Sequence, residues 1–336
     1  MMPNLLTVIL NWRTADMTLD ACAAALREMA GMQGAITIVD NDSGDGSFER
    51  MTEQVVARGW DRGAVPVRVL QSGRNGGFGA GNNFGIRAGL PGGGRPDYVY
   101  ILNSDAFPDP GAIRALVDHL ETNPRTGFAG SYIHGQEGDP HHTAFRFPTI
   151  WSELEGAARF GPISRLLKRH IVPLPMPAQT CQVDWLAGAS LLARQDMLDQ
   201  IGLFDETFFL YFEETDLLLR AARAGWATDY VRHSEVTHIG SASTGMKTWR
   251  RIPAFWLDSR RHYFTKNHGH FYAAAATLAH VAGGLLWRAR LLVQNKDRGD
   301  PPHFLRDLIL HDVRARTGRK TGSGAAPAKD MARPAE

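Results

Sequence analysis

Cysteine is nearly absent from this chain. Cys22 and Cys181 are the only two among 336 residues; they offer neither a disulfide framework nor metal-ligand spacing, and suit a reducing, cytoplasmic setting. The abundant glycine includes no G-x-G-x-x-G. Gly77 and Gly79 are followed by Asn82, and Gly79 and Gly81 by Phe84, which argues against an NAD-dependent oxidoreductase, and no Gly-Lys-Ser/Thr run supplies a P-loop. His134, His141 and His142 lack zinc spacing and read as surface or acceptor-side residues. The opening MMPNLLTVILNW has no basic n-region and too short an apolar run for a signal peptide, so it reads as a first strand. Phe271–Trp287 runs 17 residues without formal charge, interrupted by His280 and the Gly283-Gly284 pair. That is marginal for crossing a bilayer and suited to a packed or interfacial helix.

Charge is present but unevenly placed. Residues 1–245 hold 20 Lys+Arg against 28 Asp+Glu, whereas 246–320 hold 15 against 5. A basic C-terminal third on an acidic body points to an anionic surface, membrane lipid or nucleic acid. Nucleic acid is not expected, because no known binding motif is present and few aromatic platforms interleave the arginines. Peripheral contact with anionic membrane is expected; a solvated helical face is the plainer alternative. From about Thr317 the tail is rich in Gly, Ala, Pro and Lys and is expected to be disordered.

The first hundred residues alternate strand and helix. Leu5–Leu10, Ala35–Val39, Val67–Leu70 and Tyr98–Leu102 are short apolar runs. Thr18–Met29, a segment from Ser47 to about Arg58, and Gly79–Leu90 read as the intervening helices. Ser47 is expected to cap its helix, and Asp109-Pro110 to open the next with a capping Asp and a Pro at the first position. Further strands are expected at Val183–Leu186, Ser190–Ala193, Ala227–Val231 and Glu235–Ile239. Helices are expected at Arg194–Ile201, Trp249–Asn267 and Phe271–Asn295. The fold class is α/β, with a parallel-dominated sheet. Ligands of such sheets bind at the carboxyl ends of the strands, here Asn11-Trp12, Asp40–Ser47, Ser72–Asn83 and Asn103–Asp105.

Two stretches carry chemistry. Asn103-Ser104-Asp105 closes a buried strand, where an Asp can hold Mg²⁺ or Mn²⁺ or simply make an Asx turn. In Gly202–Arg220, an aromatic run delivers Glu213, Glu214 and Asp216 to the first turn of a helix that stops at Gly225. The helix dipole favours their ionised form, as a general base requires; ordinary acidic capping gives the same pattern.

The landmarks fall in six ordered blocks. They are Asp40-Asn41-x-Ser43 with Asp45-Gly46-Ser47; Asn75-x-Gly77-Phe78-Gly79-x-Gly81-Asn82-Asn83-x-Gly85; Leu102-Asn103-Ser104-Asp105; Trp185-x-x-Gly188-Ala189; Gly202-x-Phe204-Asp205-Glu206-x-Phe208-Phe209-x-Tyr211; and Glu213-Glu214-x-Asp216-Leu217, with His238 before Ser243. Together they resemble glycosyltransferase family 2, particularly its rhamnosyltransferase-like bacterial members. The resemblance implies a GT-A fold with a mixed central sheet over residues 1–245, a basic helical region over 246–316 and the tail beyond.

It also implies roles. Asp40 recognises the nucleotide base, and Asn75 and Asn82 line the same pocket, with Asn11 at the same edge. Asn103-Ser104-Asp105 matches the family's metal-binding Asp-x-Asp with Asn103 in the first place, and His238 adds a further ligand for Mg²⁺ or Mn²⁺. Glu214 takes the place of the base, with Glu213 and Asp216 as alternatives. Trp185, Asp205 and Tyr211 line the donor sugar and acceptor; Trp185 is equally compatible with the core. The implied reaction is inverting transfer from a nucleotide-diphospho-sugar to a glycan or lipid-linked acceptor. The implied donor is dTDP-L-rhamnose, with UDP-hexose, UDP-galactofuranose and UDP-GlcNAc open, and the implied place is the cytoplasm at the inner face of the membrane.

Overall fold

Continuous apolar runs rich in β-branched residues make strands that are buried on both faces. The computed structural model describes residues 3–240, 249, 251–294 and 300–316. The expected disordered tail and Ser243 lie outside the described residues. The chain begins β1 (Asn4–Asn11), α1 (Ala15–Glu28), β2 (Gln33–Asp40), α2 (Ser47–Ala57), β3 (Val67–Gln71), α3 (Gly77–Arg87) and β4 (Tyr98–Asn103). It continues with β5 (Ala106–Pro108), α4 (Ala112–Thr122), β6 (Thr126–His134), β7 (Ala144–Phe145), α5 (Ile150–Ala158) and α6 (Gly161–Leu166). Then come β8 (Cys181–Val183), β9 (Trp185–Leu186), β10 (Ser190–Arg194), α7 (Gln195–Ile201), α8 (Glu213–Arg223) and β11 (Ala227–His238). The last helices are α9 (Ala254–His268), α10 (His270–Gln294) and α11 (Phe304–Arg316).

The main sheet runs β3-β2-β1-β4-β10-β6-β11-β5, with β8 also on β11; β7 and β9 form a separate pair. β1 pairs in parallel with β2 and with β4, while β10 is antiparallel to both β4 and β6. The sheet is therefore mixed and the class α/β. Ile9, Ile36, Ile38, Tyr100 and Leu192 are buried at its centre.

Several local expectations need correction. Ser47 does not cap α2. Gly46 holds the cap position at φ 85°, and the Ser47 N–H donates to Asp45 Oδ1 at 3.1 Å. Asp109 does not cap α4, which starts after Gly111; its carboxylate meets His134 Nε2 at 2.9 Å instead. Ala227–Val231 and Glu235–Ile239 are a single strand, β11, with a register shift between Val231 and Glu235. The expected start of α9 at Trp249 moves to Ala254, after Pro253. β6 and α11 were not foreseen. β6 reads weakly because Gly127 and Gly130 dilute it, yet a Cβ at Gly130 would lie 2.8 Å from Leu186 Cδ1. Packing requires the glycine there.

The chain divides into two compact units. The first comprises Met1–Phe145, Pro175–Phe209 and Glu213–Ser243 and contains the sheet; the second comprises Arg146–Leu174, Leu210–Phe212 and Thr244–Glu336. In the second, α10 packs closely on α5 and α11. A Cβ on Gly283 would lie 2.6 Å from Leu154 O, and one on Gly284 2.7 Å from Leu305 Cδ1. The glycine pair that interrupts the apolar run is thus a packing device.

Candidate active site

In the first unit the order β3-β2-β1-β4 places a topological switch between β1 and β4, where the chain leaves the sheet on opposite sides. Asn11 ends β1 and is fully buried. Its amide donates to Asp40 Oδ1 at 2.7 Å and Ser43 Oγ at 3.2 Å, and its Oδ1 accepts from Thr18 Oγ1 at 2.8 Å. Asp40 also accepts from Ser43 Oγ at 2.6 Å and Ser43 N at 3.1 Å. With 1% exposure and three donors, Asp40 shapes the loop after β2 instead of presenting a bare carboxylate. Thr14 Oγ1, 3.3 Å from Ser104 Oγ, joins this network to the end of β4.

The glycine-rich segment does two jobs. Asn75 Oδ1 accepts from Asn41 Nδ2 at 3.0 Å and from the Gly77 N–H at 3.1 Å, tying it to the Asp40–Ser43 loop. Gly77, at φ 86°, lets the chain touch the aromatic run, since a Cβ there would lie 1.8 Å from Phe209 O, and the Phe78 N–H donates to that oxygen at 3.0 Å. A side chain on Gly81 would meet Leu10, and one on Gly85 would meet Val8. These glycines seat α3 on the sheet. Asn82 is fully buried; its amide donates to Phe78 O at 3.0 Å, and its Oδ1 has no hydrogen-bond partner among the described residues.

The end of β4 meets the end of β11. His238 Nε2 lies 3.0 Å from Asp105 Oδ1 and 3.5 Å from Asn103 Nδ2. Asn103 Oδ1 is buried and has no hydrogen-bond partner among the described residues. Two oxygen donors and one imidazole, one oxygen left unsatisfied, are a fitting set for a hard or borderline divalent cation.

The acidic helix approaches the same edge through the β9–β10 turn. Asn103 N donates to Ala189 O at 3.0 Å, and the neighbouring Gly188 N–H bonds to the Glu214 carboxylate. A Cβ on Gly188 would lie 3.1 Å from the Phe78 ring, so the ring would have to give by a few tenths of an ångström to admit a side chain there. Burial pushes the Glu214 carboxyl up from its ordinary value, against the opposing pull of its own N–H and that of Gly188. Glu213 is 1% exposed and pushed well above the usual range by burial and then by the charge of Glu214. Each has one oxygen without a hydrogen-bond partner among the described residues. Tyr211 and Phe212, immediately before the helix, both have φ 70°, a backbone state rare for bulky residues and concentrated at functional sites.

A family model described as "Glycosyltransferase like family 2" matches residues 3–265. The chain belongs to that family. It is 30% identical over 285 residues, 79% of this chain and 85% of the relative, to the N-acetylglucosaminyl-diphospho-decaprenol L-rhamnosyltransferase of Mycobacterium tuberculosis. It is 27% identical over 167 residues to the rhamnosyltransferase WbbL of Escherichia coli, covering 48% of this chain and 60% of that one. Among solved structures, the mannosyltransferase PcManGT of Pyrobaculum calidifontis, in complex with GDP-Man and Mn²⁺, superposes with TM-score 0.55 at 13% identity over 94% of this chain and 81% of that one. GalNAc-T7 with UDP, GalNAc and Mn²⁺ gives 0.55 at 12% identity, over 93% of this chain and 55% of that one. The fold is GT-A-like.

The glycosyltransferase's remaining site candidates have their own settings. Asp216 is fully buried and paired with Arg220 at 3.0 Å. Arg220 also donates to Ile201 O and Leu203 O at 2.6 Å each, so this pair braces the loop before the aromatic run. Asp205 Oδ1 accepts from the Thr207 N–H at 2.9 Å in a turn. Trp185 stacks on Phe145, ring centroids 4.2 Å apart, across the β7–β9 pair. Tyr211 belongs to the second unit, where its ring packs on Trp249 and Phe255. Gly188, Phe78, Ser104 and Thr14 complete the geometry and were not singled out as site residues; the first three stand inside the motif blocks without an assigned role, and Thr14 carried no signal. A second cluster, Asp109, His134 and Glu235, brings three potential ligand atoms within 4.8 Å of one another. Its groups already engage one another and Arg232, which lies 2.5 Å from Glu235.

Proposed function

We propose that this glycosyltransferase moves L-rhamnose from dTDP-L-rhamnose to a hydroxyl of a glycan or lipid-linked glycan, with inversion at the anomeric carbon. The observation that carries the chemistry is Glu214, a carboxylate raised by burial, free on one oxygen and hinged on Gly188 beside the β4 end. A raised pKa brings a carboxylate closer to the acceptor proton it must remove. Glu214 accepts that proton as the acceptor oxygen attacks the anomeric carbon, in line with the departing nucleoside diphosphate. One base acting on one face gives inversion, unlike the paired carboxylates of a retaining glycosidase. Glu213, fully buried beside Glu214, is pushed well above the usual carboxylate range, so a second charge next to the base is disfavoured. Asp216, engaged by Arg220, positions the helix.

Asn103, Asp105 and His238 would hold Mg²⁺ or Mn²⁺, which when bound supplies positive charge to the diphosphate. Asn11 and Asp40 set the loop that receives the nucleotide base, and Asn75 and Asn82 flank it. Trp185 on its Phe145 platform, with Asp205, is assigned to the sugars. The sugar is taken from the mycobacterial relative, which matches 79% of this chain and whose name gives L-rhamnosyl transfer to N-acetylglucosaminyl-diphospho-decaprenol; the dTDP carrier is what the family resemblance implies. A hexosyl donor is the second reading, favoured by 29% identity over 47% of this chain to the Haloferax volcanii hexosyltransferase Agl10.

A thermal-shift panel of dTDP-L-rhamnose, UDP-glucose, UDP-galactofuranose and UDP-GlcNAc, each with and without Mn²⁺, tests donor and metal together. Stabilisation by dTDP-L-rhamnose that grows with Mn²⁺ is expected. Stabilisation by a UDP-sugar alone moves the reading to the second donor.

A further inference from the structure

In the second unit, α10 carries an apolar face with no partner among the described residues. Phe271, Leu278, Leu285 and Leu292 recur every seven residues and are 95%, 70%, 57% and 90% exposed. Leu286 and Val293 are exposed beside them. At roughly 100° per residue, these six side chains fall within a stripe about 120° wide and about 33 Å long. No Asp, Glu, Lys or Arg interrupts it. The opposite face, with Ala276, Gly283, Gly284 and Trp287, is buried. α11 adds exposed Ile309, Leu310 and Val313, and between the helices lies a groove of about 420 Å³ lined by Val281, Leu285, Leu305 and Ile309 with Arg288 and Arg306.

Monomeric proteins rarely leave so long an apolar surface in water. Its flanks are cationic. Arg288 lies about 40° outside the stripe by the same helical count and makes no ion pair among the described residues, and Arg306 is 57% exposed with only a 3.6 Å contact to Asp307. No described helix is long and apolar enough to cross a membrane. An apolar stripe edged by arginine on a non-spanning helix matches a helix lying in the plane of a bilayer surface. A second copy of the chain would bring two basic faces together, since residues 246–320 hold 15 Lys+Arg against 5 Asp+Glu. Charge complementarity therefore selects an anionic partner.

We infer that the exposed face of α10, with the α10–α11 groove, docks on an anionic phospholipid leaflet. Phe271, Leu278, Leu285 and Leu292 enter the headgroup boundary while Arg288 and Arg306 meet the phosphates. The inference is independent of which sugar is transferred. It is tested by flotation of the full-length protein with vesicles of phosphatidylcholine alone or mixed with phosphatidylglycerol, beside light scattering without lipid. The wild type floats with the mixed vesicles, more weakly with neutral ones, and is monomeric. Leu278→Glu/Leu285→Glu lowers the floated fraction at least about tenfold, and Arg288→Glu/Arg306→Glu removes the preference for phosphatidylglycerol. Both pairs are at the surface, and an unchanged unfolding midpoint confirms that each folds. Undiminished flotation of the leucine variant overturns the inference. So does a wild-type dimer that the leucine variant converts to monomer, which would give the face to a second copy.

Discussion

Two regions bury glutamates in opposite ways. In the second unit Glu153 accepts from Arg260 Nη2 at 2.8 Å and lies 2.7 Å from His280 Nδ1. Arg260 is itself 1% exposed and reaches Thr277 at 3.1 Å, and Thr277 passes the chain to Asp312. Burial alone would push Glu153 up, but Arg260 and His280 outweigh it and bring the carboxyl down to about 2. In the first unit, Glu213 and Glu214 share the first turn of α8 with no cation paired to either among the described residues, and both are pushed up. Burial with compensation makes a clamp joining α5, α9, α10 and α11. Burial without it leaves free energy in the folded protein that only a reacting proton or a ligand relieves. Under the proposed function, the contrast gives Glu153 a structural part and Glu213 and Glu214 a chemical one.

The largest effect that can break this contrast is on transfer. Glu214→Gln should lower the transfer rate by about 10²–10⁴-fold, the usual worth of a general base, with an unfolding midpoint at or above that of the wild type. Glu213→Gln should cost less activity and also spare stability, because it deletes a charge that burial already disfavours. Full turnover by Glu214→Gln, with loss in Glu213→Gln, would exchange the two roles. Next in size is the cation. Transfer should be lost in chelator and restored by Mn²⁺ or Mg²⁺, and Asp105→Asn/His238→Ala should abolish the Mn²⁺ increment in the thermal-shift panel. An undiminished increment in that variant would point to Asp109, His134 and Glu235, another set of side chains among the described residues able to gather a metal.

The parts legible in sequence are those that local pattern dictates. Four apolar runs gave β1 to β4, and the polar ends of three of them, Asn11, Asp40 and Asn103–Asp105, lie together through Asn11–Asp40 and Thr14–Ser104 contacts. Glu213 and Glu214 read as an acidic first turn and are one. What the pattern hid is set by tertiary neighbours. β6 carries glycines because Met197 and Trp226 crowd Gly127, and Leu186 crowds Gly130. The glycines of α3 looked like a ligand loop, but Gly77, Gly81 and Gly85 are small because Phe209, Leu10 and Val8 press on them. Asp216 looks like a base candidate until Arg220, one turn on, claims it. Gly188 entered only as part of the Trp185-x-x-Gly188-Ala189 block, and its contact with Glu214 could not be read there, since that contact is made through a backbone N–H.

The comparison sharpens further on stability. Glu153→Gln should cost about 3–5 kcal/mol in urea unfolding at neutral pH, because it strands the Arg260 charge in the interior. A loss below 1 kcal/mol would mean that water reaches Arg260. The pH dependence carries the sign of each region. Glu153, lowered to about 2 from 4.5, contributes stability that is fully present above pH 4.5 and is lost as pH falls through about 2. Glu213 and Glu214, raised in the folded state, act oppositely: their ionisation removes stability as pH rises above the unfolded value of 4.5.

Glu153→Gln should therefore flatten the acid limb of the stability curve, and Glu213→Gln should raise the neutral region relative to the acid one. The smallest effect is alkaline. Burial disfavours the charge on His311, but Asp258 at 2.7 Å and Asp312 overcome it and raise the imidazole to about 9 from 6.5. Its contribution is complete below pH 6.5 and lost as pH climbs through about 9. In His311→Gln the decline over that interval should disappear, leaving the acid limb as in the wild type. A persistent alkaline decline would place that titration elsewhere and leave the Glu153 clamp as the only pH-sensitive joint demonstrated among these helices.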